Sequence, residues 1–230
     1  MAFSLYNTDC VPFLENMPDK SVDLLLTDIP YGEVNAAAAE NEGTNIRKLN
    51  KGGADEVNFD LQEVAGHFCR VTKGSIYVFC GMGQVSVLRQ TFVERGLSTR
   101  LLIWEKTNPS PMLGQYMWLS SIECCVFGRK SGAVFNTFCE SAVLRYPSGS
   151  SKEHPTEKPL DLFKKLVYTS SSMGDTVFDP FMGSGTSGVA ALMLDRNFIG
   201  CELDPDWFKI AERRVKEEAT QGKLFMANEW

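Results

Sequence analysis

Histidine is almost missing from this chain. His67 and His154 are the two present in 230 residues, too few for the usual histidine-rich metal centre. No two cysteines are spaced C-x-x-C, and the seven present (Cys10, Cys69, Cys80, Cys124, Cys125, Cys139, Cys201) are an odd number, mostly inside apolar patterns. That usage predicts reduced core thiols and argues against both a disulfide framework and a structural zinc site, so no metal is expected. No apolar run approaches the roughly 20 residues of a membrane-spanning helix. The opening MAFSLYNTDC lacks the basic and apolar parts of a signal peptide, so a cytoplasmic protein away from membranes is expected. No low-complexity linker offers a place to divide the chain, and one domain over residues 1–230 is the expectation.

Excess positive charge is missing too. The net charge of −6 argues against indiscriminate binding to polyanions. The distribution is uneven, however: between Arg129 and Lys165 seven basic residues stand against four acidic ones. A basic zone on an acidic protein can hold a polyanion on one face while the other repels it.

What is present is organised around Ser21 to Gly32, SVDLLLTDIPYG. The run Val22 to Leu26 has the length and bounds of a buried strand. It stops at a carboxylate, a constrained turn and an aromatic ring, and the carboxyl end of such a strand is where open α/β sheets place ligands. Asp28, Ile29, Pro30 and Tyr31 are therefore the first candidates for an active site. A long polar stretch follows, Glu33 to Asn58, carrying Arg47, Lys48 and Lys51. Its length suits a substrate-gripping loop.

Further along, strands are predicted at Leu5 to Thr8, Ser75 to Cys80, Leu101 to Lys106, Ile122 to Phe127, Thr176 to Asp179 and Asn197 to Glu202. Helices are predicted at Val11 to Asn16, from Asp60, at Gln84 to Arg95, from Pro159, at Thr186 to Leu194, and from Asp204 to about Glu218. Ser131 to Glu153 shows weak periodicity. Strands alternating with helices predict a largely parallel seven-stranded sheet covered on both faces.

A second turn stands out at Val177 to Gly188, VFDPFMGSGTSG: a strand, Gly183 and Gly185, then a helix. The glycines permit a tight turn and close approach to a ligand, and the helix start offers free N–H groups. Glu202 ends the next strand about 20 residues on, where a carboxylate can accept ribose hydroxyls. This set points to an adenosine-containing cofactor. A nicotinamide dehydrogenase shares the glycine turn and terminal acid, but leaves the acid and tyrosine after the earlier strand unexplained.

Together the two turns resemble those of the DNA amino-methyltransferases, which move a methyl group from S-adenosylmethionine to adenine N6 or cytosine N4. The catalytic D-P-P-Y motif of that family is similar to Asp28-Ile29-Pro30-Tyr31, and its F-x-G-x-G cofactor motif to Phe181-Met182-Gly183-Ser184-Gly185. His154 to Pro159 resembles the segment preceding the cofactor strand. With the catalytic motif first and the cofactor motif last, the order resembles the circularly permuted beta class. The resemblance implies a Rossmann-like methyltransferase fold with strands ordered as Leu5, Phe198, Val177, Leu24, Tyr77, Cys125 and Ile103. It implies cofactor contacts from Asp9, Cys10, Asp28, Lys158, Pro159, Asp179, Phe181, Gly183, Gly185, Thr186 and Glu202.

Double-stranded DNA is the implied partner, gripped by one copy or a homodimer. Recognition is expected from inserted segments at about 33–58, 108–118 and 129–152, with Arg47, Lys48, Lys51, Arg129, Lys130, Arg145 and Lys152 as phosphate contacts. Asp at the first motif position associates with adenine in this family. Cytosine-N4 transfer, a catalytically weak DNA- or cofactor-binding homologue, and methylation of a protein glutamine remain as alternatives. The departure from pattern is Ile29 in place of proline. Because Pro30 follows, position 29 is still biased to an extended conformation. Glu123 is read as scaffold.

Overall fold

The computed structural model describes residues 1–31, 59–111, 114, 116–149 and 158–227. Strand β2 (Val22–Asp28) lies within the sheet, with Val22, Leu24, Leu25 and Leu26 fully buried. Alternate side chains enter opposite layers: Leu25 joins one apolar cluster, and Leu24 and Leu26 the other. That two-sided burial explains why the segment reads as a continuous apolar run and not as an alternating one.

Along the chain follow β1 (Phe3–Asn7), α1 (Cys10–Asn16), β2, α2 (Leu61–Val71), β3 (Thr72–Cys80), α3 (Val85–Glu94), β4 (Ser98–Lys106), β5 (Ile122–Arg129), β6 (Val143–Tyr146), α4 (Leu160–Ser170), β7 (Thr176–Asp179), α5 (Thr186–Met193), β8 (Asn197–Glu202) and α6 (Pro205–Ala227). The sheet runs β1-β8-β7-β2-β3-β5-β4-β6. Only β5 runs against its two neighbours; the other adjacent pairs are parallel. Residues of α1, α2 and α3 pack in one layer with Leu25 and Phe178, while α4, α5 and α6 close the other over Leu24, Tyr77 and Phe79.

The predicted strand order is the observed one, with one addition. The sheet has eight strands, not seven, because Val143–Tyr146 adds an edge strand beside β4. Four residues with one face exposed carry too short a pattern to stand out of the weakly periodic 131–153. The last helix also continues to Ala227, beyond the predicted Glu218. All seven cysteines are free thiols. No helix among the described residues is long and apolar enough to cross a membrane.

The antiparallel course of β5 corrects two phosphate-binding expectations. Arg129 pairs with Ser75 at the start of β3, whereas Cys124 pairs with Cys80 at its end. Arg129 and Lys130 therefore sit at the edge of the sheet opposite Asp28, roughly 20 Å along the strand from Glu123. There the Lys130 ammonium donates to the carbonyls of Cys69 and Thr72 at the C-terminal end of α2, and Arg129 donates to the carbonyl of Ala133. These two residues serve the scaffold. Arg145, in contrast, lies on the same edge as Asp28, exposed and ion-paired with Glu105 at 2.9 Å. Arg47, Lys48, Lys51, Lys152 and His154 lie outside the described residues. Lys130→Met should lower stability by about 1–2 kcal/mol in urea unfolding, through loss of charged hydrogen bonds to the helix end. DNA affinity in the same variant should stay at the wild-type value.

Candidate active site

Parallel pairing brings the ends of β1, β8, β7, β2 and β3 to one edge, and the candidate residues gather there. On the β7 side the chain turns through Gly183 and Gly185, both with positive φ (50° and 81°). A Cβ at Gly185 would stand 3.0 Å from Ala211 Cβ, so both the backbone and the neighbouring helix require glycine there. The turn is held from three directions. Glu202 Oε2 accepts the Gly183 N–H at 2.9 Å, and its Oε1 accepts the Asp204 N–H at 2.8 Å. Arg214, on α6, donates to the Ser184 carbonyl at 2.7 Å and to its hydroxyl at 2.9 Å.

Asp179 holds the turn from below and is nearly sealed from solvent. Its Oδ1 accepts the Thr27 hydroxyl at 2.6 Å and the Phe181 N–H at 3.0 Å, and its Oδ2 accepts the Ser187 hydroxyl at 2.5 Å. Its oxygens are thus occupied by protein donors, so its place is behind the glycine turn, tying that turn to the residue before Asp28. Thr186 is buried as well, its hydroxyl 3.3 Å from Arg214. Phe181 packs against Phe59, ring centres 5.3 Å apart. Asp9 caps α1 by accepting the Val11 N–H at 2.9 Å, and Cys10 is buried beneath it. Burial, with Asp9 and Glu202 nearby, pushes the Cys10 thiol up to about 12, which keeps it protonated and inert.

On the β2 side, Ile29 anchors the second turn. Its N–H donates to the Phe79 carbonyl at 3.1 Å, and its side chain, 2% exposed, is part of the core. Gln84 fastens the next residue, donating to the Pro30 carbonyl at 2.8 Å while accepting the Gly81 N–H. Isoleucine thus supplies an apolar anchor where proline would have supplied rigidity.

Asp28 opens toward the cleft with 31% of its side chain exposed. Its Oδ1 accepts the Tyr31 hydroxyl at 2.8 Å, and its Oδ2 accepts the Lys158 ammonium at 2.5 Å. The Tyr31 hydroxyl also reaches Glu123 Oε2 at 2.9 Å. Lys158 contacts the same Glu123 oxygen at 3.0 Å, and Lys106 holds the other at 2.8 Å. Burial would raise the Glu123 carboxyl, but Lys158 and Lys106 outweigh it and hold it down at about 2. For Asp28 burial wins: its carboxyl is raised despite Lys158, with the Glu123 charge adding to the rise.

The structure therefore moves several assignments. Lys158, expected beside the cofactor, places its ammonium on Asp28; Pro159, buried, starts α4 behind it. Glu123, read as scaffold, belongs to the site, as do Lys106, Thr27 and Gln84. A carboxylate at position 123 in the mostly apolar run from 122 to 127 was the available signal for the first; the others carry none, since their partners are distant in sequence. Among the described residues no three His, Cys, Asp or Glu are placed to hold a metal ion.

Comparison with known proteins agrees with this geometry. A family model described as DNA methylase, of the N6/N4 type, matches residues 124–213. The Type II methyltransferase M2.MboI of Moraxella bovis is 27% identical over 94% of this chain and 88% of its own length. Over residues 124–213 the chain is thus similar to the amino-methyltransferase family. A crystal structure of the M1.HpyAVI–SAM complex superposes on this chain with a TM-score of 0.70, 26% identity, and coverage of 93% of this chain and 98% of that one. The cytosine-N4-specific PvuII DNA methyltransferase shares the fold at a TM-score of 0.69 and 16% identity, over 96% of this chain and 93% of its own.

The protein should also carry a pH signature from its buried acid. Burial pushes the Asp179 carboxyl up to about 7 against the hydrogen bonds from Ser187, Thr27 and Phe181, whereas an aspartate in an unfolded chain titrates near ~3.9. Between those values the folded state holds the extra proton, so this contribution is complete below about pH 4 and is lost as pH rises through about 7. Asp179→Asn should flatten the fall in stability between pH 5 and pH 7.5, measured by urea unfolding at both.

Proposed function

We propose that the protein transfers a methyl group from S-adenosylmethionine to the exocyclic N6 of adenine in DNA, acting on a base turned out of the duplex. One observation carries this reading: the Asp28–Tyr31 turn and the glycine turn leave neighbouring parallel strands, β2 and β7, at the same sheet edge. An acceptor for an amine and a seat for an adenosine group are thereby set side by side.

The residues suit the cofactor. Each Glu202 oxygen accepts one backbone N–H and so keeps a second lone pair for a ribose hydroxyl. Gly183 and Gly185 leave no side chain between the backbone and a ligand, and Asp9 lies two residues beyond Asn7, which pairs with Glu202 at the end of β1. When bound, S-adenosylmethionine supplies an electrophilic methyl group on a sulfonium.

An exocyclic amine is a poor nucleophile because its lone pair is conjugated with the ring. Asp28, accepting one N–H, and the Ile29 carbonyl, accepting the other, favour a pyramidal nitrogen with its lone pair directed across the cleft. As the nitrogen–methyl bond forms and the carbon–sulfur bond breaks, the nitrogen becomes cationic and its surplus proton passes to Asp28. The raised carboxyl of Asp28 suits it to take that proton. Tyr31 borders the space where the base stands. No covalent enzyme intermediate is needed.

Double-stranded DNA is the partner of this reading, and a flipped base leaves a gap in the duplex. The loop joining β4 to β5 leaves from the same edge, between Lys106 and Ile122. It exposes Tyr116, Met117 and Trp118, the last at 96%. Exposed aromatic and thioether side chains at the mouth of the cleft suit contact with the opened base step, and Arg145 on the same edge suits a phosphate. The short recognition segments allow a homodimer on DNA, which sedimentation of the complex would reveal.

Incubation with DNA and labelled S-adenosylmethionine should yield N6-methyladenine on nucleoside analysis; label on cytosine alone would overturn the adenine assignment. Asp28→Ala should reduce turnover by about 100-fold or more with cofactor affinity within a few-fold of wild type. Trp118→Ala should raise KM for DNA with cofactor affinity unchanged.

A further inference from the structure

The charge around Asp28 is more elaborate than accepting a hydrogen bond requires. Two carboxylates, Asp28 and Glu123, share one phenol and one ammonium. The Lys158 side chain is 8% exposed, and its Nζ lies 5.4 Å from the Tyr31 ring centre, 5.7 Å from that of Phe79 and 5.9 Å from that of Trp104. Such a cage holds a cation in place while excluding water. A second cation, Lys106, closes the far side of Glu123 and lies 5.4 Å from the Trp104 ring centre. The cage is fixed in turn by the edge strand: the Trp104 indole N–H donates to the Tyr146 carbonyl at 2.9 Å. The titratable groups facing Asp28 are Tyr31 from its own turn, Lys158 ahead of α4, Glu123 and Cys125 from β5, Lys106 beyond Glu123 on β4, Cys80 from β3, and Asp179 from β7.

We propose that Lys158 and Glu123 are positioning residues: the ammonium is a shared counter-ion that keeps Asp28 an acceptor for the target amine, and Glu123 sets how much of that charge Asp28 receives. The proposal rests on the role given to Asp28 above. A partly buried carboxylate beside a second one is pushed toward its protonated form unless a cation is supplied, and a protonated Asp28 would offer the amine an O–H in place of a lone pair. A cation devoted wholly to Asp28 would have the opposite fault, leaving it too weak a base to remove the proton from the methylated nitrogen. Division of Lys158 between two carboxylates satisfies both needs. Lys106 makes the division stable, because Glu123 keeps a partner of its own. Burial would lower the Lys158 ammonium, but Asp28 and Glu123 outweigh it and hold it above the usual lysine range, so it stays charged throughout turnover.

The test reads Asp28 directly. Aspartate carboxyls labelled with carbon-13 are titrated by NMR in the cofactor-free protein, the Asp28 signal being assigned by its loss in Asp28→Asn. Glu123→Gln should move the Asp28 midpoint down by half a pH unit or more. Lys106→Met, which lets Glu123 draw Lys158 toward itself, should move it up, and Lys158→Met should move it up further, by a unit or more. The acidic limb of kcat/KM for DNA methylation should follow in the same order, with cofactor Kd within about threefold. A loosened site would shift every variant alike, so opposite displacements in Glu123→Gln and Lys106→Met support the proposal even if Lys158→Met does not fold. An unchanged midpoint, or one displaced in the same direction in both, overturns it. A wild-type protein that methylates no DNA would defeat the proposed function, while the carboxyl titration would still decide the role of Lys158 and Glu123.

Discussion

The Lys158 ammonium is the constraint on which the Asp28 half of this site depends. It touches Asp28 on β2 and Glu123 on β5, and three aromatic rings from the β2 turn, β3 and β4 surround it. A charge taken out of water is stable only when its partners surround it closely, so these elements must keep their spacing for the lysine to remain buried. The antiparallel β5 is what makes this possible. Running against its neighbours, it starts at the edge where they finish, and so delivers a carboxylate to a cleft otherwise built from strand ends.

The glycine-turn half is held differently. There the supports are backbone geometry and neutral or singly charged hydrogen bonds: Glu202 on Gly183, Arg214 on Ser184, Asp179 on Phe181 and Ser187. The two halves are joined by the Thr27–Asp179 hydrogen bond, which crosses from the residue before Asp28 to the residue opening the glycine turn. A displacement of either turn is therefore felt by the other. The Ile29 side chain adds a third restraint from within the core, which explains how the Asp28–Tyr31 turn keeps its course without a first proline.

Much of this was legible in the chain because its cues are local. The buried strand ending at Asp28, the glycine turn ending at Gly185 and the acid closing β8 are each written in a few consecutive residues. The strand order Leu5, Phe198, Val177, Leu24, Tyr77, Cys125, Ile103 followed from family resemblance and matches the sheet. Val143–Tyr146 escaped notice because four half-exposed residues carry no distinct period. Arg129 and Lys130 were misplaced for a related reason: a basic cluster in sequence does not say at which edge of the sheet it emerges, and the reversed direction of β5 sends them to the wrong one.

By itself, then, the order of residues determined the α/β class and the two turns, since strand burial, glycine conformation and a terminal carboxylate depend on near neighbours. Tertiary structure alone decided who serves whom within the site. Lys158 lies 130 residues from Asp28 in the chain and 2.5 Å from it in space, and Asp179 lies 152 residues from the Thr27 hydroxyl it accepts. Charges separated that far in sequence acquire their partners only when the sheet closes, and burial then makes those partnerships strong enough to govern protonation.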